Sequence, residues 1–464
     1  MKSVPQNSEL IKNLTKLLQA HREAFGQERI YMRMIGLVLG EIMTFGRHTV
    51  TQVLVAMGLG ADPWSAWHRM LSRNRFDEAA VTKQLFRETL AHVDEDDLYV
   101  IGGDVTEIAR DSHKMEGSSW LKCPRNPPFK RSIHRAQRFL HGAWLMPPEE
   151  GYSRALPLRM IPAFTEKAKR RIHEAVKEWA AGRSYVQWVR EQLDEEGRAE
   201  QQVLGLFDGS YDTLDWWKTL PARVVTLVRT AKNRDLRELY TGTDRRRKYG
   251  PKALKPGEWL HVKEGWTTLH LTIRRRKRRM VYRVEGPYIR YGAADTVLFL
   301  IVVRGEHYYK GERECYRKPA YYLVNAQQRP DGTWALPLPI EDLLFWAWQR
   351  WELEVTHREM KTDFGVGDKQ CWNSLAAVRS VQWGAWVYAI LVLAGYRTWG
   401  LCGSPPLTTS WWSGARRWSW ARLLDQYRAA LLTDEKYTPC WPSIPTNWGD
   451  KEAALRDLFV GAPG

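Results

Sequence analysis

Cysteine is scarce: five in 464 residues (Cys123, Cys315, Cys371, Cys402, Cys440), with no C-x-x-C pair. That argues against a zinc framework and a disulfide scaffold, and it fits a reducing cytoplasm. Long apolar runs are missing too. The longest, 384–395 (GAWVYAILVLAG), falls short of the ~18 residues that a membrane span needs, so it reads as a buried core helix. Residues 1–23 are polar and charged, so no secretory signal is expected there. No fixed-period repeat or low-complexity tract stands out. Acids are outnumbered: 53 Asp plus Glu against 70 Lys plus Arg, a net charge of +17. Such an excess points to nucleic acid, because each cation that meets a backbone phosphate releases a counterion. The hydrophobic share, 44%, excludes wholesale disorder. Tryptophan is abundant at 24, enough for a core with some rings left to stack on bases.

Residues 8–93 read as helical. Within them, 49–73 place two short helical patterns around Gly58-Leu59-Gly60-Ala61-Asp62-Pro63, a turn signal. The pair reads either as a helix–turn–helix that binds DNA or as a plain helical bundle. From Asp97 the period changes. Residues 98–102 (LYVIG) form a buried strand predicted to end at Gly103-Asp104; 138–145 and 155–161 are two more. A long charged helix is predicted over 165–193. Strands follow at 202–207, ending at Asp208, and at 224–229. Residues 235–337 read as a mainly β insertion. Strong helices are predicted over 341–361 and 374–396, then a Trp-rich helical tail over 411–432. The expected fold is α/β. Its units are 1–94 helical and DNA-binding, 95–234 and 338–400 as two parts of one core, 235–337 inserted, and 401–464 a helical tail.

Three acids stand out by position. Asp104 and Asp208 follow apolar strands, at the usual mouth of an α/β sheet. Glu354 lies within a late helix, with Arg350 four residues before it and Lys361 seven after, a spacing predicted to share one face. His357 and Arg358 lie beside them. Carboxylates so collected would suit a hard cation such as Mg²⁺, and two such ions would serve both oxygens of a phosphodiester displacement. Each Asp alone reads equally as a turn or helix cap, and the helix as a solvated face with ordinary ion pairs.

The run Arg350-x3-Glu354-x6-Lys361 resembles the R-x3-E-x6-K core of the signature of bacterial insertion-sequence DDE transposases of the cut-and-paste group. Asp104-Val105-Thr106 is similar to that family's D-x-T segment, and Asp208-Gly209-Ser210-Tyr211 to its D-G-x-Y/F segment. The signature's Tyr, three residues before the Arg, is Ala347 here, between Trp346 and Trp348. The resemblance spans roughly 95–400. It implies an RNase-H-like core with a β-rich insertion, and Asp104, Asp208 and Glu354 holding two Mg²⁺, with Mn²⁺ as substitute. It implies that Arg350 and Lys361 grip DNA phosphate and that an aromatic of the insertion, Trp334 or Tyr322, stacks an extruded base.

Basic runs fit the same partner. Arg245 to Lys248 and Arg274 to Arg279 lie in the insertion, and Arg275, Arg276, Lys277 and Arg278 are the expected DNA contacts. Arg229 and Lys232, at and after a core strand, are others. Lys122, Arg125, Lys130, Arg131, His134, Arg135 and Arg138 are expected in a loop between the first and second core strands. The leading expectation is a Mg²⁺-dependent transposase that cuts double-stranded element ends and joins them to target DNA. It would act as a homodimer, paired through 416–432. Two alternatives stay open: a metal-dependent nuclease on the same fold, and a catalytically silent DNA-binding derivative.

Overall fold

Helical periodicity and side-chain caps organise the N-terminal part. The computed structural model describes residues 6–122, 132–244, 246–310, 312–403, 417–437, 440–441 and 447–459. Helices α1 (Gln6–Ala20), α2 (Glu28–Met43), α3 (Val50–Ala56), α4 (Ser65–Ser72) and α5 (Glu78–Leu90) come first. Thr49 and Asp77 start α3 and α5 by accepting backbone N–H bonds. The predicted turn between α3 and α4 is there, with Gly58 at φ +72°.

The strands that follow are β1 (Tyr99–Ala109), β2 (Ser118–Lys122), β3 (Ile133–Leu145) and β4 (Ala155–Pro162). After α6 (Glu178–Glu195) come β5 (Val203–Phe207), the short helix α7 (Leu214–Lys218) and β6 (Val224–Arg229). A β-rich stretch holds β7 (Arg237–Leu239), β8 (Tyr249–Lys252), β9 (Thr267–Ile273), β10 (Arg276–Arg290) and β11 (Ala293–Val303). It continues with β12 (Glu306–Lys310), β13 (Arg313–Arg317), β14 (Ala320–Asn325), β15 (Gln327–Gln328) and β16 (Trp334–Ala335). The chain then turns helical: α8 (Ile340–Gln349), α9 (Trp351–Arg358), α10 (Ser374–Trp399), α11 (Trp420–Thr433) and α12 (Trp448–Phe459).

One large mixed sheet unites the strands, in the order β2-β3-β1-β5-β6-β14-β11-β10-β7-β8, with β4 beside β3 and β9 beside β10. β1, β5 and β6 run parallel, and their apolar runs are buried. The β-rich stretch is continuous with them, because β14 bonds directly to β6. The fold is thus α/β, a mixed sheet with helices at both ends of the chain. The apolar run 384–395 lies inside α10, long and apolar enough to cross a membrane but 89% buried against the rest of the chain.

Several expectations need correction. β1 does not stop at Gly103 but continues to Ala109, because β3 keeps pairing with it after β5 has ended opposite Gly103. The helix predicted from 165 starts only at Glu178. The buried Glu116 carboxylate accepts backbone N–H bonds from Arg171, Ile172 and His173 at 2.9–3.1 Å, and this holds the preceding segment as a loop. The basic segment 122–138 lies between the second and third strands. Lys122 ends β2, His134, Arg135 and Arg138 belong to β3, and Arg125, Lys130 and Arg131 fall outside the described residues, as do Cys123 and Arg245. The helix predicted over 341–361 is split at Arg350 and closes on a π-type turn, Glu359–Asp363. α11, the expected pairing surface, turns Trp420, Leu423, Tyr427 and Leu431 into the chain's own core; residues 411–416 lie outside the described ones.

Candidate functional site

Three separated stretches converge at the edge where β5 ends. Asp104 lies on β1 one residue past the last β5 pairing, and Gly103 beside it packs so closely on Phe207 that a Cβ would stand 2.5 Å from the ring. Asp208 follows β5 and starts a 3-10 turn, its Oδ1 accepting the Ser210 N–H at 2.8 Å. The cap reading and the site reading of Asp208 are therefore compatible. Glu354 comes from α9, which crosses the β1 face that carries Asp104. Arg350, at the α8–α9 break, donates to Asp104 Oδ2 at 3.4 Å and to Glu354 Oε1 at 2.9 Å.

Asp104 and Asp208 line a cleft of about 660 Å³ with Arg138, Glu178, Ser210, His357 and Lys361. Burial pushes the Asp104 carboxyl up from 3.8 to about 7. Arg350 opposes that rise, and the charges of Asp208, Glu354 and Glu178 add to it. Ionised, these groups repel each other and call for a cation. Arg350 supplies one such charge between Asp104 and Glu354.

Other acids of the α9 region are already neutralised. Glu352 is held by Arg274 at 2.7 Å and Arg417 at 2.9 Å. Glu359 is held by Arg154 at 2.6 Å and by the Tyr388 hydroxyl at 2.5 Å. Glu354 is the one α9 acid turned to Asp104.

Oxygen-only donors suit a hard divalent cation. Among the described residues no three His, Cys, Asp or Glu groups close on a single point at metal-holding distance. Asp104 and Glu354 instead share the Arg350 guanidinium, while Asp208 is bonded to Ser210. The set fits such an ion in donor chemistry and charge.

Glu178 escaped the sequence reading. It lies in the first turn of α6, and its Oε1 accepts from the Ser210 hydroxyl at 2.5 Å while Oε2 accepts from Arg138 at 2.8 Å. The same Ser210 hydroxyl stands 2.6 Å from Asp208 Oδ1. Burial raises the Glu178 carboxyl above its ordinary value. An acid opening the helix that leads into the Asp208 strand was the available signal.

The expected cationic contacts part company. Lys361 lines the cleft, whereas Arg358 is exposed and outside its lining. His357 is buried against His141 with ring centroids 4.7 Å apart. Among the described residues neither His141 nitrogen has a hydrogen-bond partner, nor has His357 Nε2. Burial pushes His141 down to about 3 and His357 well below its ordinary value, with nearby Lys361 adding to both. Burial thus works against a positive charge on either ring, and so against His357 as a phosphate-binding cation.

Arg229 lies with Arg350, Tyr322 and Trp348 in a neighbouring basic cavity of about 370 Å³. Trp334 is half-buried in the β15–β16 ladder, away from that lining, and Lys232 is exposed. In the basic run, Arg274 and Arg275 form the β9–β10 turn at φ +51° and +61°. They pair with Glu352 and Glu150, so those two need no polyanion to settle their charge. Arg276 and Lys277 are exposed, and Arg278 is half-buried near Trp348.

Residues 25–285 match a family model described as DDE superfamily endonuclease. The match takes in Asp104, Glu178 and Asp208 and stops before Glu354. No curated protein matches the chain. A match over more than half of the sequence, with a carboxylate-lined cleft inside it, establishes that the chain belongs to the DDE superfamily endonucleases.

Proposed function

We propose that this DNA-directed endonuclease is a transposase of the bacterial insertion-sequence type, with the R-E-K form of the signature on an RNase-H-like core. The observation that carries the reading is the convergence on Asp104 of the charges of Asp208 and Glu354, with Arg350 bridging Asp104 and Glu354. DDE endonucleases generally use divalent metal ions. Asp104, Asp208 and Glu354 would hold Mg²⁺, or Mn²⁺ in its place. Bound there, the ions would supply Lewis acidity to the attacking and leaving oxygens. Arg350, Lys361 and Arg229 grip the phosphates flanking the scissile bond. Water attacks phosphorus at the element end and the 3′-oxygen leaves; that 3′-OH then attacks a phosphodiester of the opposite strand or the target.

The remaining assignments belong to the same reading. Residues 1–94 engage duplex DNA. Residues 95–234 and 338–400 form the core around the 235–337 insertion, and 401–464 is the tail. Exposed Arg276 and Lys277, with Arg278, extend the DNA track. Tyr322 and Trp348, in the basic cavity, are better placed than Trp334 to stack an extruded base. Two copies act together in the cytoplasm, one on each end.

The test is a plasmid-borne element flanked by its own ends, with and without Mg²⁺, beside Glu354→Gln. Metal-dependent excision lost in the variant, with reintegrated product, supports transposition. Excision without any joining selects a nuclease. Binding without cleavage in Mg²⁺ or Mn²⁺ selects a silent DNA binder.

Glu178 acts through Ser210 on Asp208. Glu178→Gln is expected to lower kcat by roughly ten- to a hundred-fold with little change in substrate KM, and added Mg²⁺ should recover part of it. Steady-state cleavage over a metal titration checks this. A normal rate at every metal concentration would remove Glu178 from the site.

A further inference from the structure

The carboxylate cleft opens on one side into a shallower hollow of about 540 Å³, with Ala109, Asp111 and His134 shared between the two. Trp120 lines this hollow and is 60% exposed, although its strand is well paired. Arg135, its cross-strand partner on β3, lies over the indole at 4.6 Å from the ring centroid. A second exposed indole, Trp372 at 64%, follows two residues after Gln370, which lines the cleft, and has the Lys114 ammonium 5.9 Å from its centroid.

The turn that links the two is firmly held. The Arg110 N–H donates to the Arg135 carbonyl at 3.0 Å, and the Arg110 guanidinium donates to the Gly367 and Lys369 carbonyls. The Asp111 N–H donates to the Gln370 side chain. These bonds tie the strand that carries Arg135 to the segment that leads into Trp372, next to the cleft that Asp104, Asp111 and Gln370 line.

Each indole here carries a cation at its face, a pairing of stacking surface and charge, whereas duplex DNA presents phosphates but hides its base faces. Unpaired DNA offers both groups: bases for the indoles and phosphates for Arg135 and Lys114. We infer that the Trp120–Trp372 rim is a stacking platform for unpaired nucleotides of the strand leaving the cleft. The platform rests on the DNA-cleaving reading of the carboxylate site. It lies on the β2–β3 side, apart from the basic cavity at Tyr322 and Trp348.

The test measures fluorescence anisotropy of a labelled mixed-sequence oligonucleotide, single-stranded and as the fully paired duplex. The full-length parent is compared with Trp120→Ala, Trp372→Ala and the two Trp→Phe variants, in EDTA so that no cleavage intervenes. Each alanine variant is expected to lose roughly ten-fold in single-strand affinity. Duplex affinity should change less than about two-fold, and the phenylalanine variants should stay near the parent. Unchanged single-strand binding in the alanine variants would overturn the platform, as would equal losses on both DNA forms. A parent that binds duplex but no single strand would overturn the platform alone. A parent that binds neither form would overturn the DNA-cleaving reading with it.

Discussion

Asp208→Asn and Asp104→Asn each remove metal-dependent cleavage by about 10³-fold or more, while duplex binding stays within about two-fold of the parent. The magnitude is that of losing several kcal/mol of charge stabilisation at the reacting oxygens. On the proposed function, binding survives because the phosphate contacts fall to cations elsewhere, such as Lys361, which lines the cleft, and Arg229, which lines the basic cavity. A single-turnover cleavage assay beside a filter-binding titration checks both halves. If binding falls in step with cleavage, the aspartates are structural and the site assignment fails.

Asp104→Asn carries a second signature, in pH. The Asp104 carboxyl is raised to about 7 in the folded chain, from an ordinary value of 3.8. The folded state therefore holds a proton that the unfolded chain gives up earlier. That contribution to stability is fully present below about pH 4 and is lost as pH rises through 7. Without metal, Asp104→Asn should match the parent near pH 4 and exceed it above pH 7. Metal affinity runs the other way: a bound cation competes with the proton, so parent affinity should fall by up to about ten-fold for each pH unit below 7. Denaturation midpoints and metal titrations across that range read the two effects separately.

Lys369→Met should give the largest loss of stability, about 3–5 kcal/mol, because it leaves a buried charge without its partner. Glu41, on α2, is fully buried and lies 2.6 Å from Lys369 and 2.7 Å from His48. Burial pushes its carboxyl up, yet Lys369 and His48 overcome that and hold it below the ordinary value. Lys369 also donates to the His48 carbonyl at 2.7 Å, and Asp368 accepts the His48 N–H at 2.9 Å. This knot fastens the N-terminal helices to the segment behind the cleft, where Arg47 and Asp368 both line the wall. Urea denaturation is the measurement. The double variant Glu41→Leu, Lys369→Met should recover much of the loss, since no lone charge then remains buried. Equal losses in the single and double variants would refute the argument.

Legibility differed from element to element. Parallel strands β1, β5 and β6 were readable because their apolar runs are short and bounded, and α10 because it is long and uniformly apolar. The end of β1 was not, because the residues after Asp104 look like a turn until β3 is there to pair with them. The segment before Glu178 carries helix-forming charges, and only the distant Glu116 decides that it stays a loop. Asp104, Asp208 and Glu354 stood out by context, and the fold brings their charges together, whereas Glu178 is one acid in a helix with several. His357 sat beside Glu354 in the chain, but its burial against His141 depends on a strand some two hundred residues away. In the same way, the repelling charges of 274–279 are partly settled by Glu150 and Glu352, which no local pattern reveals.

The placing of α10 has a consequence for the chain as it is made. This helix packs against β4, yet more than two hundred residues separate Pro162 from Ser374. At about 5–20 residues per second, the ribosome delivers the cover roughly 10 to 40 seconds after the strand it covers. Through that interval an apolar sheet face stands open on a nascent polypeptide. The part of β4 that α10 covers thus waits for its partner during synthesis, and slower translation between the two lengthens that wait.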